Sequence, residues 1–255
     1  MKASTIFLTI LLGALLVSGC SGLPDFVRNF QDAERITPSD VIIAEEREVS
    51  GFNAIDMRSF GRVVLTQGET ESLTIEGSDN LVPLVRTSVN GSKLIIEMEE
   101  NINVVDWNNK ENVLTFKITV RDLTDLTLSG LADVQMETLS TTDLGVTMSG
   151  AGQLILGDLA AENLDVIVSG LGSVEIAGQV TDVGIEIPGA GSVNAGELEC
   201  QTATVDISGL GSATVWVTGE LKGTISGSGS VSYYGDPQTS VNTTGLGSYK
   251  AMGDK

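Results

Sequence analysis

The side chains of this chain best suited to chemistry are carboxylates. Asp165, Glu175, Glu186 and Asp206 recur at polar positions of alternating segments in its second half. Two such groups at a set separation are what glycoside hydrolysis needs. The chain has no histidine, so no imidazole can serve as base or complete a nucleophile relay. A lyase on uronates would need cations to hold the substrate and to abstract the proton. Between Ser129 and Tyr249 there are 14 acidic residues and one basic residue, Lys222. The four carboxylates are equally accounted for as outward strand residues. No catalytic residue is assigned and no enzyme is expected; an enzyme on neutral glycans is the alternative they leave open.

Other candidate chemistry is sparse. Calcium-binding nonapeptide turns carry an aspartate in each glycine turn, whereas the turns here carry serine and only Asp133 falls close. No metal site and no cofactor is therefore expected. Trp216 and Tyr234 fall at outward positions of neighbouring repeats, and Tyr233 falls inward. An exposed aromatic pair of that kind would be a ligand face for a glycan or an envelope protein. Cys200 has no histidine to activate it and reads as a small core residue.

Cys20 has a different reading. Lys2 is followed by the apolar stretch Ile6 to Val17 and then by Ser18-Gly19-Cys20. This is the anatomy of an export signal over residues 1–19, too short for a membrane span of about 20 residues. Leu16-Val17-Ser18-Gly19-Cys20 resembles the bacterial lipobox, which implies lipidation of Cys20 and attachment to a membrane through that lipid. Ser21 at the next position implies sorting to the outer membrane in a didermal cell. Residues 20–40 then read as a lipidated tether. With Cys20 used, Cys200 has no partner for a disulfide.

The net charge of −20 and pI near 4.1 exclude nucleic acid and anionic lipid headgroups as direct partners, because the field repels phosphate. Oligomeric state is left open by the sequence.

The elements that would position these residues are repeats. Ser129-Gly130-Leu131-Ala132 is followed by Ser149-Gly150-Ala151-Gly152, Ser169-Gly170-Leu171-Gly172, Pro188-Gly189-Ala190-Gly191, Ser208-Gly209-Leu210-Gly211, Ser226-Gly227-Ser228-Gly229 and Thr244-Gly245-Leu246-Gly247. Starting positions step by 20, 20, 19, 20, 18 and 18 residues. Apolar residues follow each turn at every second position, as in Val134 and Met136, or Leu154 and Leu156. A second alternating run, such as Leu164-Val166-Val168, approaches the next turn. Period 2 means strands with one buried face. Fixed repeats of such strands predict an all-β fold, a parallel β-helix of about 20-residue rungs. The repeat body is expected over 129–249, with 250–255 as a tail. Residues 41–128 are expected to form an N-terminal β part that caps one end. Within it, Asp79 to Thr87 reads as one or two helical turns, Asn90-Gly91 as a tight turn, and Glu99 to Asn112 as a loop holding Trp107.

Ser50-Gly51-Phe52-Asn53-Ala54-Ile55, Gly61-Arg62-Val63-Val64-Leu65-Thr66-Gln67-Gly68 and Ser72-Leu73-Thr74-Ile75-Glu76-Gly77 resemble the opening of the bacterial head GIN domain family. Asp79-Asn80-Leu81-Val82, Gly91-Ser92-Lys93-Leu94-Ile95-Ile96 and the Ser-Gly-x-Gly-Ser-Val turns continue the likeness over roughly 47–250. These proteins carry the label of autotransporter-adhesin heads, and the resemblance implies a right-handed parallel β-helix with no catalytic residues to carry over. Together these readings predict a lipid-anchored envelope protein with a non-catalytic, adhesion-like binding role. A carbohydrate-active enzyme and an envelope-stress or scaffold component are the alternatives.

Overall fold

The computed structural model describes residues 34–105 and 114–255. Cys20, the signal and Trp107 lie outside the described residues. In chain order the strands are β1 (Glu34–Ile36), β2 (Ile42–Arg47), β3 (Ala54–Met57), β4 (Phe60–Gln67), β5 (Ser72–Ser78), β6 (Val85–Asn90), β7 (Lys93–Met98) and β8 (Ile102–Val104). β9 (Thr115–Val120), β10 (Asp125–Leu128), β11 (Leu131–Ser140) and β12 (Asp143–Met148) follow. The long strands are β13 (Ala151–Val168), β14 (Ser173–Ile187), β15 (Ser192–Ile207) and β16 (Ser212–Ile225). β17 (Ser230–Tyr234), β18 (Gln238–Thr243) and β19 (Ser248–Ala251) end the chain.

The architecture is all-β, a parallel solenoid with rungs of about 20 residues. Its core is a set of columns, each one residue deep per rung. Val63, Val134, Leu154, Val174, Val193, Ala213 and Val231 are successive partners in register and all are buried. On the opposite wall Leu94, Ile55, Leu126, Val146, Val166, Ile185 and Val205 form the matching column, also buried. Period-2 alternation therefore does what the sequence predicts, putting one apolar face of every strand inside. Fully burying each of these side chains stabilises the fold by about 1.5–3 kcal/mol relative to exposure.

Serine-glycine corners link the two walls, and they are crowded. A β-carbon on Gly150 would lie 2.0 Å from the carbonyl oxygen of Gly130, and one on Gly170 would lie 2.0 Å from that of Gly150. The amides cross the same gap: Leu171 N donates to Gly150 O at 3.2 Å and Leu210 N to Gly189 O at 3.0 Å. Stacked corners thus hydrogen-bond so closely that only glycine fits.

The spatial order of rungs departs from chain order. β10 lies between β3 and β12, and β11 between β4 and β13. β7 and β9 stack beneath β3 and β4. The chain therefore lays down its second rung first, builds the end, returns for the bottom rung and skips forward. The end is closed by antiparallel strands: β5 pairs with β9, β2 with β5, and β6 with β7. Glu71 fastens it. Burial opposes its charge, but the Gly51 amide at 2.5 Å and Arg121 hold its carboxylate below the usual range.

Three local expectations are corrected. Helical turns over Asp79–Thr87 reduce to a 3-10 turn at Val82–Leu84. Val85–Asn90 is instead extended, because it finds a full set of partners in β7 across the Asn90-Gly91 turn, with Gly91 at φ 63°. The expected loop after Glu99 contains β8, which pairs in parallel with β1. Residues 34–36, read as tether, are thus part of a two-stranded sheet, and the next residues are pinned by Ser39 N to Asn80 Oδ1 at 3.0 Å.

Substituting a crowded corner glycine should be far more damaging than substituting the open wall glycine Gly145. Gly170→Ala should destabilise by about 2–3 kcal/mol through overpacking. At Gly145 a β-carbon meets nothing nearer than 3.6 Å, so Gly145→Ala should be neutral or stabilise by about 0.5 kcal/mol. Denaturant melts of the two variants check this; equal midpoints would show that corner stacking is not the constraint.

Candidate functional site

The wall that precedes the corners carries the acidic chemistry. Asp165, Glu186 and Asp206 face outward from β13, β14 and β15, with Glu186 and Asp206 directly in register. With Asp143 and Asp182 they line an open groove of about 830 Å³. Polar neighbours one rung away steady these carboxylates. Asn163 Nδ2 donates to Asp143 Oδ1 at 2.7 Å, the Thr202 hydroxyl to Asp182, and the Thr224 amide to Asp206 Oδ1 at 2.8 Å. Glu175 is not part of this group, since it pairs with Ile155 and Asn194 on the wall after the corner. Three of the four sequence candidates are therefore brought together. What they form is a long acidic trough lined with hydroxyls, suited to accepting hydrogen bonds from hydroxyl or cationic groups. Among the described residues no cluster of three or more carboxylate or cysteine ligands could hold a metal ion.

Trp216 and Tyr234 are direct neighbours on β16 and β17. Both are half-buried, and both are occupied. The Lys255 ammonium stands 5.5 Å from the Trp216 ring and 5.2 Å from the Tyr234 ring, within cation–π range. Its Nζ donates to Gly196 O at 2.5 Å and pairs with Glu197. The pair thus clasps the chain's own tail. Tyr233 packs against the core. Tyr249 turns inward too, and its hydroxyl donates to Val205 O at 3.2 Å.

Sequence reasoning missed one surface. The residue between the corner glycines alternates Leu131, Ala151, Leu171, Ala190, Leu210, Ser228, Leu246. Leu131, Leu171, Leu210 and Leu246 are 53, 75, 70 and 90% exposed. They make an apolar ridge with a knob at every second rung, about 9.6 Å apart from a 4.8 Å strand spacing. The alternation was visible in the turns themselves, but there it reads as freedom at a variable position.

Cys200 is 2% exposed, and its thiol lies against Trp216 O at 3.2 Å. Burial, then the charges of Asp182 and Glu199, push its pKa up to about 12. It is a core group, not a nucleophile.

With this geometry in hand, the relatives are informative. A family model described as "Putative auto-transporter adhesin, head GIN domain" matches residues 51–237. The chain belongs to the head GIN domain family. This head GIN protein is similar to a solved putative adhesin of Bacteroides fragilis, with 27% identity and a TM-score of 0.81 over 85% of this chain and 100% of that one. A putative adhesin of Parabacteroides merdae has 20% identity and a TM-score of 0.67 over 86% and 100%. A protein of Parabacteroides distasonis described as putative lipid binding has 22% identity and a TM-score of 0.69 over the same shares. The last two likenesses show the fold alone. No protein of curated description matches the sequence. The family description names an adhesin head and no reaction.

One buried and one half-buried acid should give this head GIN protein an alkaline limit. The Cys200 thiol moves from near 9 to about 12, and burial followed by the charge of Asp206 moves Tyr249 from 10 to about 12. Both folded values are raised, so their contribution is complete below pH 9 and is lost as pH rises towards 12. Chemical denaturation midpoints between pH 8 and 11 should fall more shallowly in Cys200→Ala with Tyr249→Phe than in the parent. A parallel fall would exclude these groups as the cause. Cys200 should also resist maleimide until the protein unfolds.

Proposed function

We propose that this head GIN protein is a lipid-anchored, extracytoplasmic binding head that engages partners through the outer walls of its solenoid and catalyses no reaction. The observation that carries the reading is the repetition of polar side chains in register along one open wall. A surface that repeats every rung suits an extended ligand contacted many times. Family membership supports an adhesin-type role. The lipobox resemblance at Cys20 supports anchoring through an N-terminal lipid, with the outer membrane as destination in a didermal cell. The acidic trough selects against polyanionic glycans and favours neutral glycans or the basic surfaces of envelope proteins.

Replacing Cys20 with Ala should move the protein from the membrane fraction to the soluble fraction; persistent sedimentation with membranes would remove the anchor from the reading. Reversing charge in the trough, with Asp165→Lys and Asp206→Lys together, should lower recovery of cross-linked partners from intact cells at least tenfold. Equal recovery would place binding elsewhere. Release of product from a panel of neutral glycans, abolished by Glu186→Gln, would instead establish the enzyme alternative.

A further inference from the structure

The two ends of the solenoid are finished differently. At the N-terminal end the outermost strands are β2 and β6, and they carry Glu45, Glu46, Arg47 and Arg86. Charged side chains on an edge strand discourage another chain from pairing there. At the C-terminal end the outermost strands are β18 and β19. Among the described residues β18 pairs only with β16, and β19 only with β17. Their other edges present free main-chain donors and acceptors.

Among the described residues nothing protects the β18 edge. It reads Gln238-Thr239-Ser240-Val241-Asn242-Thr243, with no charge, no proline and every residue exposed. From Gln238 to Ala251 there is one charged residue, Lys250, in a chain of net charge −20. The core column Val205, Gly223, Val241 ends here, leaving Val241 37% exposed although its position is an inward one. The chain that follows does not cover the edge. Met252 N donates to Tyr233 O and Gly235 N to Gly253 O, at 2.8 and 3.0 Å, which turns the tail down the wall to the Lys255 clasp.

We propose that this end is a self-association surface, on which a second copy adds its own β18 antiparallel to the first across a two-fold axis. The charge distribution favours that occupant. Two bodies of charge −20 repel over most of their surfaces, but they can meet end to end where the acidic residues are missing. A two-fold contact uses the same patch twice, and the patch is self-complementary: main-chain edge to main-chain edge, Val241 continuing its column into Val241 of the second copy. The result is a rod of doubled length, with the antiparallel caps at its far ends and both troughs exposed. This inference does not rest on the anchoring or ligand of the proposed function.

Sedimentation velocity on the purified full chain carrying Cys20→Ala tests it. A reversible monomer–dimer equilibrium is expected. Val241→Lys, at a position already partly exposed, should raise the dissociation constant at least tenfold, with an unchanged melting curve showing that the fold survives. Leu171→Ser, on the corner ridge, should leave the equilibrium unchanged. Ser240→Cys should give a covalent dimer with a short bismaleimide, and Glu46→Cys at the opposite end should not. A monomer at all concentrations, a dimer indifferent to Val241→Lys, or a dimer dissociated by Leu171→Ser would each overturn the proposal.

Discussion

The structure depends on a single close approach, the stacking of one glycine corner on the next. In-register parallel strands repeat every 4.7–4.9 Å. At the corners the chain folds over itself inside that spacing, and the carbonyl below occupies the place where a side chain would begin. The amides of Leu171 and Leu210 then reach the carbonyls of Gly150 and Gly189. Glycine is thus a structural requirement here. A Gly-x-Gly-Ser loop that opened a helix would point its amides at a phosphate. These loops lead into strands, and their amides are used by the rung beneath.

That constraint divides the surface by function. Corners expose only the residue before the first glycine, which is Ser, Pro or Thr, and the residue between the glycines, which is Leu, Ala or Ser. Charge has to go to the walls, where alternate residues point out. The repeat carries Asp165, Glu186 and Asp206 to one open trough because its period returns each rung to the same phase. A net charge of −20 is therefore patterned: acidic on the walls, absent along the corner ridge from Ser149 onwards. Chemically, the wall suits hydrogen-bond donors and cations, and the ridge suits apolar groups.

The rungs were legible in sequence because spacing and alternation report the same geometry. Val134, Leu154, Val174 and Val193 recur at fixed phase and occupy one column. The rung built from β3 and β4 was not legible. Its corner, Arg58-Ser59-Phe60-Gly61, lacks the double-glycine signature, although Phe60 pairs with Leu131 as a full member of the stack. Non-sequential stacking leaves no local signal, since it is decided by which strands remain unpaired once the end is built. The helical reading of Asp79–Thr87 failed for a different reason: a six-residue strand paired with β7 across the Asn90-Gly91 turn satisfies more backbone groups than one turn of helix. At the aromatic pair, phase correctly made Trp216 and Tyr234 neighbours. What covers them comes from Lys255, 39 residues beyond Trp216 in the chain, and no local pattern could announce it.

The last rungs show how a solenoid can be closed inside while its edge stays open. Repeat length falls from 20 to 18 residues, and the core column loses its side chain at Gly223. Tyr249 fills the gap from the opposite wall. Its hydroxyl lies 2.9 Å from where a β-carbon on Gly223 would be, and it bonds to Val205 two rungs down that column. One half-buried aromatic ring thus plugs the narrowing core from above, and desolvation followed by the charge of Asp206 pushes the pKa of its hydroxyl up to about 12. The interior is plugged by a side chain, whereas no described residue pairs with the outer edge of β18. A cap made of strands, as at the other end, would satisfy both the core and the edge at once. Plugging the core with Tyr249 separates the two requirements, which leaves six residues of uncharged strand edge free to be satisfied from outside.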